Sequence, residues 1–360
     1  MKVGIIDADL LGRKRHRFPN LVCMKLSGYH KALGDEVRLL CGYGGLESYD
    51  RIYLSKVFTD TPVPESVLRL PNVEYGGTGF YYDRAPALPD AVEHHRPDYH
   101  LYEAWVNARL QEGCPPRELA FYTDYSIGFL TRGCFRKCPF CVNRNYSRVS
   151  DHSPLSEFYD PERPKICLLD DNFLGHPGWR EMLCQLQSTG KPFLFKQGLD
   201  ERLLTPEKCE VLFRSRYDGD YMFAFDSIED RNIIEPRIDL ARRYTNANLK
   251  FYCFTGYDRG DRWDDAFWVR DLRELFDRIE ILMRHRCLPY IMRFERYKES
   301  PYRGVYVTLA RWCNQPEFYR KMSLREFIAK PGNESSKRYL DELERDHPEF
   351  SRYLDLKYSK

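Results

Sequence analysis

The stretch Ile-Gly-Phe-Leu-Thr-Arg-Gly-Cys-Phe-Arg-Lys-Cys-Pro-Phe-Cys, residues 127–141, decides the fold of this chain. Its first residues are apolar and typical of a short buried strand, and Gly133 then turns the chain into a loop. The loop carries Cys134, Cys138 and Cys141 at the spacing C-x3-C-x2-C, and no fourth cysteine completes the set nearby. Three thiolates on one short loop can hold a metal centre that keeps one position open for a substrate or cofactor.

This loop resembles the cluster-binding loop of the radical S-adenosylmethionine (SAM) superfamily. The resemblance implies that the three cysteines ligate a 4Fe-4S cluster and that Phe140 lies beside the adenine of SAM. In the superfamily, the reduced cluster cleaves SAM to methionine and a 5′-deoxyadenosyl radical, which abstracts hydrogen from a substrate. Two alternatives for the cysteines stay open: a zinc site completed by a distant residue such as His152, and reduced thiols without metal.

The composition is that of an ordinary globular protein with room for two domains. The chain has 360 residues, of which 42% are hydrophobic, and its formal net charge of +2 does not indicate nucleic-acid binding. No apolar run approaches the roughly 18–20 residues of a membrane helix. Residues 1–7 resemble a strand and not a secretory signal, and the twelve cysteines suit a reducing compartment. We therefore expect a cytoplasmic protein without a membrane partner.

Strand and helix patterns alternate from the first residue. Strand candidates lie at 2–7, 36–40 and 51–58, and residues 21–33 have the apolar spacing of a helix. This alternation predicts an α/β fold that begins with a Rossmann-like, doubly wound domain over residues 1–115. Residues 84–97 are predicted to form a connecting loop with one short helix, and residues 98–120 the passage to the next domain.

In the radical SAM superfamily, a domain in this place resembles the cobalamin-binding class. The Asp-x-His-x-x-Gly signature of base-off cobalamin binding is absent here. The glycine-rich stretches 42–45 and 76–79 could lie close to a nucleotide tail, although tight turns at strand ends explain them more simply. Cobalamin is thus possible but not favoured, and we expect a vestigial or repurposed domain.

The cysteine loop lies in a second domain, residues 116–300, where strand and helix patterns repeat about every thirty residues. This pattern matches the partial (βα)6 radical SAM barrel, a TIM-barrel-like fold. Residues 301–360 are predicted to form a largely helical C-terminal extension. The predicted barrel strands are 127–131, 165–169, 192–196, 220–225, 249–254 and 288–294.

Barrel enzymes collect their chemistry at the carboxyl ends of the strands, so the residues there are the candidate SAM contacts. By resemblance to the superfamily, Asp171 and Asn172 would hold the methionine amino group, although adjacent carboxylates also occur in ordinary strand-to-helix caps. Gln197 and Asp200 can bind ribose hydroxyls. Arg202 can grip the methionine carboxylate or form a surface salt bridge.

The later strands supply further candidates. Asp226 and Ser227 stand where related enzymes place an acidic residue and a serine by the ribose, and they are preferred for that role. Gly256 allows adenine to lie against backbone, and Tyr257 could stack on the ring or cap the barrel. Arg293 or Glu295 could face a substrate cavity, but the sequence identifies no catalytic residue.

The main functional hypothesis is a radical SAM enzyme that acts on an unidentified substrate and takes its electron from a flavodoxin, a ferredoxin or a chemical reductant. The alternatives are a cobalamin-dependent radical SAM methyltransferase and a non-catalytic iron–sulfur or zinc protein that binds partners. The separate cysteines Cys253, Cys287 and Cys313 form no C-x2-C pair, so we interpret them as buried thiols and not as ligands of an auxiliary cluster.

Overall fold

The computed structural model describes residues 1–14 and 16–358. Its internal contacts divide the chain into two compact units, Met1–Lys196 and Gln197–Lys360. Strands alternate with helices in both units, and the sheets of three or four strands are parallel. The sequence-based domain boundaries, 1–115, 116–300 and 301–360, stay predictions.

The first unit opens with a four-stranded parallel sheet in the order β2-β1-β3-β4. Because β1 lies between β2 and β3, the strand order changes direction there, and ligands of such sheets bind at the carboxyl ends beside that point. The strands are β1 (Lys2–Asp7), β2 (Glu36–Leu39), β3 (Arg51–Ser55) and β4 (Val73–Gly76). The short β4 was missed because Val-Glu-Tyr-Gly has only one aliphatic residue and runs into glycine.

Seven helices accompany this sheet among the described residues. The longest, α2, starts where the Asn20 side chain accepts hydrogen bonds from the backbone of Val22 and Cys23, which is an ordinary helix N-cap. Residues 98–120, predicted as a passage, include all of one helix and most of another. The helices are α1 (Ala8–Gly12), α2 (Leu21–Ala32), α3 (Glu65–Leu68), α4 (Thr78–Tyr81), α5 (Asp90–Glu93), α6 (Glu103–Gln111) and α7 (Pro116–Thr123).

The predicted strand 51–58 ends early, at Ser55, for a physical reason. The Asp9 carboxylate accepts hydrogen bonds from the backbone N–H of Val57 at 2.7 Å and of Phe58 at 3.4 Å. Those N–H groups are therefore withdrawn from strand pairing. A side chain that lies 48 residues away along the chain sets this boundary.

The remainder of the first unit contains a three-stranded parallel sheet in the order β5-β8-β9 and a two-stranded antiparallel pair, β6–β7. The cysteine loop runs between β6 and β7. These elements are β5 (Tyr125–Gly128), β6 (Thr131–Arg132), β7 (Ser150–Asp151), β8 (Lys165–Leu168), α8 (Trp179–Ser188) and β9 (Phe193–Phe195). The predicted strand 127–131 is in fact two, because the Asp170 carboxylate takes the backbone N–H groups of Leu130 and Thr131.

The second unit contains a three-stranded parallel sheet in the order β10-β11-β12, with helices between and after the strands. The last five helices fall within residues 301–360. The strands are β10 (Tyr221–Ala224), β11 (Leu249–Thr255) and β12 (Leu288–Arg293). The helices are α9 (Pro206–Phe213), α10 (Arg231–Arg242), α11 (Asp265–Arg284), α12 (Arg303–Cys313), α13 (Pro316–Lys321), α14 (Leu324–Ile328), α15 (Glu334–Asp346) and α16 (Ser351–Leu354).

All six strands predicted for the barrel are present, three in each unit. Each set forms its own parallel sheet, and closure of the six strands into one barrel stays a prediction. Among the described residues, no helix combines the length and the apolar character needed to cross a membrane.

Candidate functional site

The cysteine loop begins at Gly133, where the backbone adopts a positive φ of 94°. A Cβ atom at this position would collide with the carbonyl oxygen of Arg148 and approach the ring of Tyr146. Only glycine fits such a crowded, left-handed position without strain. The entrance of the loop is thus packed tightly against its own exit.

Backbone and amide N–H groups point at the sulfurs of Cys134 and Cys141. The backbone N–H of Arg136 and the Nδ2 of Asn172 both donate to Sγ of Cys134 at 3.3 Å. The backbone N–H of Asn143 donates to Sγ of Cys141 at 3.4 Å. Hydrogen bonds of this kind stabilise thiolates and tune the potential of a bound iron–sulfur cluster.

Asp171 ties the two ends of the loop together. One carboxylate oxygen accepts from the backbone N–H of Gly133 at 2.7 Å, and the other accepts from Nδ2 of Asn143 at 2.7 Å. Nε of the Arg132 guanidinium lies 3.6 Å from Oδ2 of Asp171. Both carboxylate oxygens of Asp171 are thus engaged by the loop. The contact of Asp171 with the amino group of SAM stays a prediction.

Asp170, which precedes it, has a structural role that the sequence analysis missed. This carboxylate is fully buried and accepts hydrogen bonds from Thr131, through its backbone N–H at 2.6 Å and its hydroxyl at 2.7 Å, and from the backbone N–H of Leu130 at 3.2 Å. Burial raises the pKa of Asp170 to about 6, although the hydrogen bonds from Thr131 oppose the shift. Asp170 thereby fixes the segment that leads into the first cysteine.

Asn172 provides an unused hydrogen-bond acceptor next to the first cysteine. Its side chain is 3% exposed, and its Oδ1 has no hydrogen-bond partner among the described residues. A buried amide oxygen without a partner is costly, so such an atom suits a ligand that brings a donor. An ammonium group is a donor of that kind, and the contact of Asn172 with the amino group of SAM stays a prediction.

The three thiolates of the loop are the kind of donor set that a 4Fe-4S cluster uses. Among residues 1–14 and 16–358, no three or more His, Cys, Asp or Glu side chains are arranged to hold one metal ion. A zinc site needs ligands that converge on one point, whereas the thiolates of a cubane bind separate irons. His152, the proposed fourth zinc ligand, instead contacts Ser153 at 3.0 Å and Glu93 at 3.3 Å.

Phe140 is half-buried in the loop, and its carbonyl oxygen accepts a hydrogen bond from the hydroxyl of Tyr82 at 2.6 Å. Its place beside adenine stays a prediction. An open pocket of about 470 Å³ adjoins the loop. The pocket is lined by Phe135, Ser147, Arg148, Val149, Ser150, Asp151, Gly175, His176 and Pro177.

The other predicted SAM contacts belong to the second unit. Arg202 is paired with Asp200 at 2.7 Å and with Asp230 at 2.9 Å. Gln197 is exposed. The arginine is thus engaged by carboxylates within its own unit, and its role at the methionine carboxylate stays a prediction.

Asp226 and Ser227 both accept hydrogen bonds from backbone N–H groups of the second unit. Asp226 accepts from the backbone N–H of Phe254 at 2.8 Å, and burial raises its pKa above the ordinary value. The hydroxyl of Ser227 accepts from the backbone N–H of Glu229 at 3.3 Å. The bond from Phe254 joins the turn after β10 to β11, whereas the bond to Ser227 is local; the predicted ribose contacts of both residues stay predictions.

Glu201 was missed by the sequence analysis. It is 1% exposed, its Oε2 accepts from the backbone N–H of Ala224 at 3.2 Å, and its Oε1 has no partner among the described residues. Burial, assisted by the charge of Asp200, raises the pKa of Glu201 to about 8. The group is therefore mainly a neutral acid at pH 7. The sequence gives no signal for it beyond its place after a predicted strand.

Gly256 follows β11 with a φ of 79°, and its backbone N–H donates to both oxygens of Asp271, at 3.0 and 3.1 Å. Asp271 also accepts from the hydroxyl of Thr255 at 2.6 Å and that of Tyr306 at 2.7 Å. The sequence analysis missed Asp271, which lies in the middle of α11. The ring of Tyr257 packs edge-to-face on Phe294, with 5.1 Å between centroids.

Neither a protein-family model nor a curated protein matches this sequence. Among solved structures, the chain is similar to the radical S-adenosylmethionine methyltransferase TsrM from Kitasatospora setae, determined with cobalamin and a [4Fe-4S] cluster bound. The TM-score is 0.54 at 11% sequence identity, and the match covers 81% of this chain and 72% of TsrM. At this identity the similarity concerns the fold alone: the chain is a mixed α/β protein with the fold of this radical SAM methyltransferase.

Proposed function

We propose that this chain is a radical SAM enzyme in which Cys134, Cys138 and Cys141 hold a 4Fe-4S cluster. The observation that carries the proposal is the three-cysteine loop itself, with hydrogen bonds to the sulfurs of Cys134 and Cys141 and no fourth cysteine close to them in the sequence. The fold shared with TsrM supports it independently.

When bound, a reduced cluster of this kind would supply the electron that cleaves SAM to methionine and a 5′-deoxyadenosyl radical able to abstract hydrogen. The chain's own residues would bind SAM and hold the cysteine loop in place. Asn172 offers its buried Oδ1 to the amino group of SAM, while Asp170 and Asp171 keep the cysteine loop in place. The N–H groups of Arg136 and Asn143 stabilise the thiolates.

The remaining SAM contacts in this proposal are Phe140 and, from the second unit, the polar and glycine residues at the strand ends. The reaction also needs a one-electron donor, such as a flavodoxin or a ferredoxin. The substrate is unidentified, and the cytoplasmic location predicted from the sequence is part of this proposal. The second-unit residues are Gln197, Arg202, Asp226, Ser227, Gly256 and Tyr257.

The ligand assignment is tested by anaerobic reconstitution with iron and sulfide. We expect about four irons per chain in the wild type and loss of the cluster absorption in Cys134→Ala, Cys138→Ala and Cys141→Ala. Cys253→Ala is the matched control, because that thiol is fully buried in β11, and its iron content should not change. A full cluster in any of the three variants, or zinc as the stably bound metal, would refute the assignment and favour a non-catalytic metal protein.

A second candidate function, cobalamin-dependent methyl transfer, is favoured by the cobalamin bound in TsrM. That finding removes the sequence-based preference against cobalamin, because a chain with a similar fold binds it. The four-stranded sheet at residues 2–76 would then be the cobalamin-binding domain. A corrinoid absorption spectrum in protein produced with cobalamin would distinguish this function from hydrogen abstraction alone.

A further inference from the structure

The segment 77–83 connects the first sheet with the cysteine loop. At its beginning, the backbone N–H of Gly79 donates to the carbonyl of Lys56 at 2.9 Å, and the hydroxyl of Thr78 donates to the carbonyl of Val57 at 3.0 Å. A Cβ atom on Gly77, which has a φ of 105°, would collide with the carbonyl oxygen of Lys56. The segment is thus fastened closely to the carboxyl end of β3.

The end of the same segment contacts the cysteine loop through two side chains, those of Tyr82 and Asp83. The hydroxyl of Tyr82 donates to the carbonyl of Phe140, the residue immediately before Cys141, at 2.6 Å. The carboxylate of Asp83 pairs with the guanidinium of Arg144 through Nε at 2.9 Å and Nη2 at 2.8 Å. Both contacts fall on the part of the loop that carries the third cysteine.

A further hydrogen bond joins the loop to the backbone of the segment. Nδ2 of Asn145 donates to the backbone carbonyl of Asp83 at 3.2 Å, so side chain and backbone of Asp83 both hold the loop. Both nitrogens of Arg144 contact the same oxygen, Oδ2 of Asp83, and hydrogen bonds between ionised groups are stronger than those between neutral ones. The loop is consequently held in one orientation relative to the segment.

The backbone of Tyr82 is strained. Its φ of 50° and ψ of −114° lie in a region that bulky L-residues rarely adopt, and such strain persists where the surroundings over-determine it. Burial does not explain the residue, because the Tyr82 side chain is 39% exposed. Glycine would adopt the same conformation without strain. The tyrosine supplies the hydroxyl that donates to Phe140 and a ring that lies 6.0 Å from the guanidinium carbon of Arg144.

We propose that Tyr82 and Asp83 are positioning residues that clamp the cysteine loop and set the position of Cys141. The segment thereby makes the first sheet a support for the loop, whether or not that sheet holds a corrinoid. Its consequence for a cluster rests on the function proposed above. The contacts of Tyr82 and Asp83 with the loop do not require a cluster, so this part of the proposal can be tested in the metal-free protein.

The first test is hydrogen–deuterium exchange of residues 138–146 in the metal-free protein. We expect exchange to rise about fivefold in Tyr82→Phe or Asp83→Ala and about tenfold or more in the double variant, because each change removes a side-chain hydrogen bond to the loop. Tyr81→Phe is the control: it is a neighbouring tyrosine, 38% exposed, whose ring stacks on Tyr75. Unchanged exchange in the double variant would overturn the clamp, irrespective of any cluster.

Two further measurements guard against a general loss of stability. Tyr82→Gly should melt at a higher temperature than Tyr82→Ala, since only glycine suits the backbone, while both should loosen the loop. In reconstituted protein, the electron paramagnetic resonance signal of the reduced cluster should change in Tyr82→Phe and stay that of the wild type in Tyr81→Phe. If the wild type takes up no cluster, the proposed function fails, and the exchange experiment still decides the clamp.

Discussion

Asn172 combines two features in one side chain: its amide nitrogen donates to Sγ of Cys134, and its buried oxygen has no partner among the described residues. Leaving a buried acceptor unsatisfied costs about 1–3 kcal/mol. A ligand that donates to this oxygen would remove that cost upon binding. This difference between the free and bound states is the reason why we propose Asn172 as a SAM contact in addition to its bond to Cys134.

We therefore predict that Asn172→Ala weakens SAM binding about tenfold, corresponding to the loss of one charge-assisted hydrogen bond. Isothermal titration calorimetry on reconstituted protein measures this directly, with iron content checked in the same sample. Asn107→Ala, on the exposed face of α6, is the control and should bind as the wild type does. Unchanged affinity in Asn172→Ala with a full cluster would remove Asn172 from the SAM site.

Some of these residues could be predicted from sequence and others could not, for reasons of distance along the chain. The three cysteines were singled out by their local spacing, and Asn172 by its position after a predicted strand. Asp170, Glu201 and Asp271 act through contacts that form only on folding, such as that between Asp170 and Thr131 across 39 positions. Asp171 shows the same limit, since the sequence indicates a polar strand end but not the two loop contacts.

At the scale of elements, the α/β alternation predicts most strands correctly, and long-range side chains decide where several of them end. Asp9 ends β3 by binding the N–H groups of Val57 and Phe58, and Asp170 separates β5 from β6. Periodicity within a strand contains no information about a carboxylate elsewhere in the chain. Boundaries are accordingly the part of the fold that sequence reasoning gets wrong here.

Asp271 is the clearest case of one element holding the end of another. From the middle of α11 it binds the backbone N–H of Gly256, the hydroxyl of Thr255 and that of Tyr306. These bonds fix the turn after β11, where adenine would lie in the proposed function. Removing the carboxylate leaves several buried or half-buried donors without a partner.

Asp271→Ala should therefore lower the free energy of unfolding by about 3 kcal/mol, measured by urea denaturation followed by circular dichroism. Asp265→Ala, an exposed carboxylate in the first turn of the same helix, is the control and should change stability by less than about 1 kcal/mol. A loss below about 1 kcal/mol in Asp271→Ala would mean that the turn after β11 does not depend on this carboxylate.

At the scale of the whole molecule, the chain contains a four-stranded parallel sheet, two three-stranded parallel sheets and a helical C-terminal region. This content agrees with the α/β class predicted from the sequence, while the Rossmann-like domain and the (βα)6 barrel stay predictions. The fold is similar to that of TsrM at only 11% sequence identity. The cysteine loop is the local feature that indicated it, because the chemistry of a cluster constrains spacing more strongly than packing constrains the core. The substrate has no comparable local signature.

The central claim is that this chain cleaves SAM at a cluster held by three cysteines. The most direct test is formation of 5′-deoxyadenosine from SAM by anaerobically reconstituted protein with a strong reductant, beside a variant with all three cysteines changed to alanine. The account predicts 5′-deoxyadenosine from the wild type and none from the triple variant. A wild-type protein that carries a full cluster, yet neither binds SAM nor forms 5′-deoxyadenosine, would contradict it.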